Sequence, residues 1–463
     1  MALGFTSLFA GGSQESSSSS SNYRQAVFSN GMFRITSGGT YVLSGKQEGQ
    51  VFIQATRNDV VVLILDNLTL HNPNGPAIYA PRSQRVEIIL ADGSVNTISD
   101  GKHPNDENNA AIYVQNDLVI SSDGTGNGML NINGNFHHGI RTQDILTIKS
   151  GIFNIKAVGD ALRGRDAVII EAGTFLLTAG GDGIQSNNDS NAERGYVTIN
   201  GGTFTINAGD DGIQAETTVT INGGNLTMTV KDDGITTKGS LLITGGTIHV
   251  TDCYEGIEGL NVTITGGDID IFSRDDSLNA REHGVANNPQ GRFMMRPPTN
   301  DNIYVRISGG NIHLHGLTDG IDSNNNIFLE GGTLRISGPS MGMEGAIDFD
   351  GAMFISGGSL VTAGSVTSVS AQSKQPAMLV AYTQQQPSGA LIEIRDSGGK
   401  TILDYTAKNP FLMSAFTSPD FAIGKTYSLY INKQKVQDIA LNSLITIIGD
   451  SRFMRGFGGR GRW

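Results

Sequence analysis

Short runs of alternating apolar and polar residues recur through the middle of the chain, and glycine pairs or Asp-Gly pairs separate them. Residues 219–222 (VTIN) and 241–244 (LLIT) are two such runs. The alternation predicts short strands that bury one face, and the glycine-containing pairs predict tight corners between them. Three strands and three corners fit into one repeat of about 22 residues, which is typical of a solenoid with one coil per repeat.

A carboxylate marks one corner of nearly every repeat. It is followed by glycine, or once by serine, and then by an apolar residue, as in Asp182-Gly183-Ile184; the last copy has its isoleucine one residue late. The carboxylates return about every 22 residues, with longer steps where a loop is inserted. They are Asp160, Asp182, Asp211, Asp233, Glu255, Asp276, Asp319 and Glu344.

A second column follows the same steps and carries the core. A glycine, usually the second of a pair, precedes by two positions an apolar residue in each repeat. The glycines are Gly151, Gly173, Gly202, Gly224, Gly246, Gly267, Gly310, Gly332 and Gly358. Their apolar partners are Phe153, Phe175, Phe204, Leu226, Ile248, Ile269, Ile312, Leu334 and Leu360. We therefore predict an all-β fold, a right-handed parallel β-helix whose apolar column stacks in the interior and whose corner glycines have positive φ.

The repeat also sets the domain limits. The predicted β-helix covers residues 28–370 and is less regular before residue 150, where His138 occupies the acidic register. Residues 371–450 alternate as antiparallel strands and predict a small β-domain that shields the open end of the helix. Residues 1–27 resemble a signal remnant followed by a serine-rich tether, and residues 451–463 predict a disordered Arg/Gly tail. A long loop is expected at 281–301.

Composition narrows the function classes. The formal net charge of −12 argues against a general affinity for nucleic acid or anionic membranes. The single cysteine, Cys253, excludes an internal disulfide, and no stretch approaches the roughly 18 apolar residues of a membrane span. The apolar start predicts an extracellular or cell-surface protein, with a lipid anchor only in a native precursor, because no lipoprotein-box cysteine lies near Gly12. The oligomeric state is left open.

Several motifs together resemble one known family. They include DGSVNTISD, AAIYVQNDLVI, HHGI, DALRGRD, GDGIQSNN, GYVTINGG, DDGIQAE and GIDSNNNIFLEGG. The sequence is similar, from about residue 63 to residue 450, to the bacterial carbohydrate-binding domain-containing parallel β-helix proteins. That family is secreted, contains calcium and is similar in fold to family 9 pectate lyases. The resemblance implies calcium sites along the helix and affinity for acidic or cellulosic plant polysaccharides, but it does not imply catalysis.

The residues themselves give a separate argument for calcium. If the carboxylates stack, neighbours lie about 5 Å apart and repel by roughly 0.9 kcal/mol in water, or about 3.5 kcal/mol at an effective dielectric of 20. Such a ladder needs bound cations or protonation. Calcium accepts six to eight oxygen ligands in flexible geometry, whereas zinc prefers histidine and cysteine, which are scarce here.

The best candidate ligands are the corners with doubled acids and the outward positions beside the column. The predicted metal ligands are Asp160, Asp182, Asp210, Asp211, Asp232, Asp233, Glu255, Glu258, Asp275, Asp276, Asp319, Asp322 and Asp348. An alternative stays open for each single aspartate, because aspartate before glycine also serves turns by accepting backbone N–H groups without a metal. The doubled pairs favour metal, since a second acid adds repulsion without helping a turn.

Three functions compete. The leading hypothesis is a calcium-dependent polysaccharide-binding protein at the cell surface. The second is a calcium-using polysaccharide lyase of the pectate type, which needs a lysine or arginine base near the metal. Candidate bases flank several rungs but no pair is singled out, so no catalytic residue is assigned. The third is a surface protein in which calcium only stiffens the rod.

Overall fold

The computed structural model describes residues 23–102, 109–283, 300–339 and 344–449. The predicted leader before residue 23, most of the predicted 281–301 loop and the predicted tail from residue 451 lie outside these ranges. The chain divides into two compact units, Met1–Ala208 and Gly209–Trp463. All regular elements in the described ranges are strands, and no helical segment there has the length and hydropathy that crossing a bilayer requires.

The first unit contains strands β1 to β20. Their bounds are β1 (Tyr23–Gln25), β2 (Met32–Ile35), β3 (Gly39–Glu48), β4 (Gln50–Gln54), β5 (Val60–Asn72), β6 (Ile78–Arg82), β7 (Arg85–Leu90), β8 (Val95–Asp100), β9 (Ala110–Val114), β10 (Asp117–Ser122), β11 (Met129–Gly134), β12 (His138–Thr142), β13 (Ile145–Ile148), β14 (Ile152–Ala157), β15 (Leu162–Gly164), β16 (Ala167–Ile170), β17 (Thr174–Ala179), β18 (Ile184–Ser186), β19 (Tyr196–Ile199) and β20 (Thr203–Ala208).

Each strand of the first unit pairs in parallel with a strand one coil away. The three regular columns are β13–β16–β19, β14–β17–β20 and β12–β15–β18. Alternate side chains therefore point into the interior or outward, as the burial pattern eBeBeB of β17 and β20 records. The predicted parallel β-helix is confirmed.

Aromatic stacking fills the interior of this unit. The rings of Phe153 and Phe175 lie 5.0 Å apart with an interplanar angle of 7°, and those of Phe175 and Phe204 lie 4.5 Å apart at 4°. Gly173 turns the corner before Phe175 with a φ of +136°, and a Cβ there would lie 2.9 Å from the Phe175 ring. The corner thus requires glycine both for its conformation and for its space.

The second unit contains strands β21 to β41. Their bounds are β21 (Ile213–Ala215), β22 (Thr218–Ile221), β23 (Asn225–Val230), β24 (Ile235–Thr237), β25 (Ser240–Ile243), β26 (Thr247–Asp252), β27 (Ile257–Gly259), β28 (Asn261–Ile264), β29 (Asp268–Ser273), β30 (Leu278–Ala280), β31 (Tyr304–Gly316), β32 (Ile321–Ser323), β33 (Asn326–Ser337), β34 (Met353–Ala363), β35 (Ala377–Gln386), β36 (Leu391–Arg395), β37 (Thr401–Thr406), β38 (Phe411–Thr417), β39 (Thr426–Ile431), β40 (Gln434–Ala440) and β41 (Ile445–Ile448).

Strands β21 to β34 of this unit again form parallel coils. One coil consists of β22, β23 and β24, which is the predicted set of three short strands in one repeat. The shortest strands stack as β21–β24–β27–β30–β32 with a fixed register, in which Ile213, Ile235, Ile257, Leu278 and Ile321 follow one another. This register places the carboxylate corners of successive coils above one another.

The chain after the last coil turns antiparallel, as predicted. Strand β38 pairs antiparallel with β34, which is the last strand of the β-helix, and with β35. A four-stranded sheet in the order β37–β36–β39–β40 follows. Buried residues such as Met378, Ile392, Phe416 and Leu429 form its core. The pairing of β38 with β34 covers an edge that would otherwise expose unpaired backbone groups.

Candidate functional site

Carboxylates at the corners before β21, β24, β27, β30, β32 and the last coil form a ladder in the second unit. Four of the described carboxylates accept a backbone N–H from the corner one coil further on, namely Asp211, Asp233, Asp276 and Asp319. Glu255 instead accepts the side-chain amide of Asn279. The amide nitrogens of Asp233 and Glu255 lie 2.9 Å and 3.2 Å from Oδ1 of Asp211 and Asp233, and that of Asp319 lies 2.8 Å from Oδ1 of Asp276. The predicted stacking is confirmed. The N–H acceptor role left open by the sequence is also present, but the N–H comes from the next coil and not from the residue's own turn.

The ladder carboxylates Asp160 and Asp182 of the first unit have protein partners. Asp160 is buried, and its Oδ2 lies 3.1 Å from His138 Nδ1 and 3.1 Å from Arg163 Nη1. Burial opposes its ionisation, but the neighbouring His138 and the charge of Arg163 outweigh burial and lower the pKa of Asp160. The side-chain amide of Gln185 donates to Asp182. Asp160 and Asp182 therefore bond to protein side chains, whereas the sequence predicts that both bind a metal ion.

The described carboxylates of the second unit gather in three clusters, and within each one the ligand oxygens lie within 4.8 Å of one another. The first contains Asp210, Asp211 and Asp232, and Asp210 and Asp232 are exposed. Burial and the neighbouring Asp210 raise the pKa of Asp232. Exposed acids of this kind keep much of their hydration, so the first cluster is the weakest of the three candidate cation sites.

The second cluster contains Asp233, Glu255 and Glu258 and is partly neutralised by basic side chains. Arg281 Nη2 lies 2.6 Å from Glu258 Oε2, and His283 Nε2 lies 2.6 Å from Glu258 Oε1. Burial and Glu258 raise the pKa of Asp233 to about 7. Burial and a hydrogen bond with Glu258 also raise the pKa of Glu255. For Glu258, burial is outweighed by bonds from His283 and Glu255, and its pKa is lowered.

A column of outward side chains runs beside this ladder. In register it contains Gln214, Thr236, Glu258, Asn279 and Asp322. These side chains point away from the apolar interior as predicted, yet Glu258 is fully buried and Asn279 is only 3% exposed. Asn279 Nδ2 donates to Glu255 Oε2 at 3.1 Å, whereas its buried Oδ1 has no hydrogen-bond partner. A buried carbonyl oxygen without a donor is costly, and a cation would satisfy it.

The third cluster contains Asp319, Asp322 and Asp348. Burial and the charges of Asp276, Asp348 and Asp350 raise the pKa of Asp322 to about 8. Burial also raises the pKa of Asp319, although it accepts the N–H of the next coil. Among the described residues, no basic side chain forms an ion pair with any of the three. No ion pair of the described residues therefore compensates the charge of this cluster, and its all-oxygen donors suit a hard divalent cation.

The other predicted pair, Asp275 and Asp276, does not join a cluster of the described residues. Burial raises the pKa of Asp276 to about 7 even though it accepts the N–H of Asp319. A hydrogen bond from Tyr254 occupies Asp275, and this bond with the charge of Asp275 raises the pKa of Tyr254 to about 12. Asp275 thus acts as the partner of a phenol.

A small cleft opens beside the second cluster. It has a volume of 180 Å³, and its lining includes Asp233, Glu258, Lys238, Arg281 and His283. Lys238 Nζ lies 2.8 Å from Glu216 Oε1. Acids and bases meet here within one concave surface, an arrangement in which proton transfer to or from a bound sugar is chemically feasible.

Sequence reasoning indicated Lys238 as one of several candidate bases but missed Arg281 and His283, the other basic residues of this cleft. Arg281 and His283 follow β30 at the start of an insertion, where the repeat has no counterpart, so no periodic signal marks them. Asn279 lies beside the ladder as predicted, but the alternating pattern does not indicate that it is buried.

The family model of carbohydrate-binding domain-containing proteins matches residues 29–277 and 227–375. The chain belongs to this family. A carbohydrate-binding domain-containing protein of Acetivibrio thermocellus is 35% identical over 131 residues, which cover 27% of this chain and 44% of that protein. The chain thus matches less than half the length of this curated relative. A solved structure of a polysaccharide lyase-like protein from C. thermocellum, a gadolinium derivative, is 33% identical with a TM-score of 0.45. The similarity covers 47% of this chain and 89% of the other.

Proposed function

We propose that this member of the carbohydrate-binding family is an extracellular or cell-surface protein that binds acidic or cellulosic polysaccharides and needs calcium to do so. Family membership supports the polysaccharide. The calcium requirement is supported by one observation above all, the cluster of Asp319, Asp322 and Asp348, with which no basic side chain of the described residues forms an ion pair.

A bound cation would relieve the repulsion between the carboxylates of this cluster. Three carboxylates whose oxygens lie within 4.8 Å cannot all be ionised inside the protein without a compensating charge. Protonation relieves the repulsion at low pH. At neutral pH and millimolar calcium, a bound ion relieves it while leaving the carboxylates ionised.

The donor set fits calcium better than other common metals. Asp319, Asp322 and Asp348 would hold the ion, and the Oδ1 atom of Asn279 offers a neutral oxygen in the neighbouring coil. Oxygen-only ligands of mixed charge are typical of calcium sites, while the cluster has no thiol or imidazole for zinc. A bound calcium ion supplies positive charge to which a uronate carboxylate of a glycan can be attracted.

The cleft at the second cluster favours a second candidate function, a polysaccharide lyase. In that reaction a base removes the proton on the carbon next to the uronate carboxylate. The C–O bond on the adjacent carbon then breaks, which leaves a double bond in one product and a hydroxyl group on the other. Lys238 is the base candidate, and Glu216 and Glu258 hold the basic groups of the cleft in place.

One experiment separates these candidates. The full chain is run through gels containing polygalacturonate with calcium or with EDTA, and the ultraviolet absorbance of unsaturated product is followed in parallel. We expect calcium to increase retention without any rise in absorbance. The double variant Asp322→Asn/Asp348→Asn should lose the calcium-dependent increase, while Asp404→Asn, which changes an exposed carboxylate of the same unit, should keep it.

Two outcomes would contradict the proposal. Retention that calcium does not increase would remove the calcium requirement. A steady rise in absorbance that Lys238→Gln abolishes would establish the lyase instead.

A further inference from the structure

An unusual group of side chains lies on the outer face of the first unit. In the column of outward positions, Arg34 pairs with Phe52, Phe52 with Tyr79, and Tyr79 with Tyr113. Gln54 lies beside this column and pairs with Arg82. We call Arg34, Phe52, Tyr79 and Arg82 the arginine–aromatic strip.

The rings of the strip are not needed to fill the core. Val51 and Ile53 on one strand, and Ile78 and Ala80 on the next, already fill the interior and are 0% exposed. Phe52 and Tyr79 are the alternating residues that face away from that interior, and both stay half-buried. Apolar rings on an outward face, repeated in successive coils, indicate a contact surface more than a packing requirement.

The rings form a regular row. The centroids of Phe52 and Tyr79 lie 5.6 Å apart, and those of Tyr79 and Tyr113 lie 5.8 Å apart. Tyr113 is buried, with Arg141 over its ring at 5.8 Å, and closes the row at one end. Because the spacing follows the coils, the row suits a polymer whose rings also repeat along its length.

Positive charge lies at one end of the row and beside it. The guanidinium carbon of Arg34 lies 4.5 Å from the centroid of the Phe52 ring, and Arg82 is anchored by Nε, which donates to the carbonyl of Ala55 at 2.7 Å. Both side chains are exposed.

Negative charge is absent from the strands that carry the strip. Among the described residues of β2, β4 and β6, there is no aspartate or glutamate, although the whole chain has a formal net charge of −12. A local surface that is cationic and aromatic on an acidic protein attracts an anionic partner.

We propose that the arginine–aromatic strip binds an acidic polysaccharide directly, without calcium. The C–H faces of sugar rings carry partial positive charge and pack on the electron-rich faces of Phe52 and Tyr79. The guanidinium groups of Arg34 and Arg82 pair with uronate carboxylates or sulfate groups, for which their planar fork is suited. This inference rests on the proposed polysaccharide-binding function and adds a site whose chemistry differs from that of the acidic clusters.

The test uses the full chain in EDTA, so that calcium-dependent binding is removed. The probes are polygalacturonate, its methyl-esterified form, which keeps the rings but loses the charge, and a single-stranded oligothymidylate. We expect polygalacturonate to be retained more strongly than the esterified form, and added sodium chloride to weaken its retention. Oligothymidylate should be retained least.

Two pairs of substitutions separate charge from stacking. Arg34→Gln/Arg82→Gln should weaken polygalacturonate binding about tenfold and leave the esterified form unaffected. Phe52→Ala/Tyr79→Ala should weaken both by about tenfold, while Tyr79→Phe, which keeps the ring, should bind as the wild type does. Lys156→Gln and Tyr196→Ala, both on other strands of the same unit, serve as charge and aromatic controls, and melting curves establish that each variant is folded.

The binding measurements distinguish an error in the proposed strip site from an error in the proposed calcium-dependent function. Binding that requires calcium, or binding in EDTA that all strip variants retain, would overturn the strip and leave the proposed function intact. Binding in EDTA that calcium does not increase would leave the strip standing without the calcium-dependent function. Tighter retention of oligothymidylate than of polygalacturonate would assign the strip to nucleic acid and overturn the inference.

Discussion

Asp322→Asn provides the sharpest test of the buried acidic cluster. Burial and the nearby acids raise the pKa of Asp322 from 3.8 to about 8. The native protein therefore holds a proton on this carboxyl group more tightly than the unfolded chain does. Without metal, stability should fall as the pH rises from about 4 to about 8 and should then level off.

The size of the effect follows from the same shift. At about 1.36 kcal/mol per pKa unit, the shift sets an upper limit of about 6 kcal/mol for the cost of ionising Asp322 in the native state. Local relaxation and water entry reduce such costs, so we expect about 1–2 kcal/mol. An asparagine of similar shape avoids this cost because it does not ionise.

We predict that calcium reverses the sign of the difference in melting temperature between Asp322→Asn and the wild type. In EDTA at pH 8, Asp322→Asn should melt about 2–5 °C above the wild type, and the difference should vanish near pH 4. In millimolar calcium at pH 8, the wild type should melt higher, because the variant has lost a ligand and the stabilisation that binding supplies. Thermal melts at several pH values, with Asp404→Asn as the control, measure both differences. A variant that melts below the wild type in EDTA at every pH would refute the reasoning, since the ionised carboxylate would then be favourable in the native state.

Three further predictions follow from the ladder. Asp160→Asn should lower stability by about 1–3 kcal/mol equally in calcium and in EDTA. Because the native pKa of Asp160 is lowered, this loss should fade as the pH falls below about 4, and a calcium-dependent loss in melting curves would contradict it. Asp211→Asn combined with Asp233→Asn should lower the melting temperature in calcium but change it little in chelator. If the variant and the wild type melt at the same temperature under both conditions, these residues are turn residues and not metal ligands. Gly173→Ala should cost about 2–4 kcal/mol because of its positive φ and the Phe175 ring, whereas Gly93→Ala, with φ +68° but no atom within 4 Å of the added Cβ, should cost less by denaturant titration.

Much of the fold was predictable because the repeat fixes both conformation and contact. Gly173 and Phe175 recur at a constant offset, and in a stack of equal coils a constant offset places like residues above one another. His138 illustrates how strong this signal is. It occupies the acidic register, and its Nδ1 accepts the N–H of Asp160 at 3.0 Å, as a carboxylate does elsewhere in the ladder.

The candidate site was less predictable because its distinguishing features are not periodic. The sequence predicts both Asp160 and Asp322 as metal ligands. Asp160 contacts Arg163 and His138, whereas Asp322 forms no ion pair with a basic side chain of the described residues. Which basic side chain contacts which carboxylate depends on the residues of neighbouring coils and on insertions such as the one that begins near Arg281. The arginine–aromatic strip escaped notice for the same reason, since Phe52 and Tyr79 lie in coils of unequal length.

The most direct measurement of the central claim is an anomalous difference map from crystals grown with calcium. The account predicts a peak enclosed by Asp319, Asp322 and Asp348, with oxygen ligands at about 2.3–2.6 Å. Density for water alone among those three carboxylates, with no anomalous signal at saturating calcium, would contradict it.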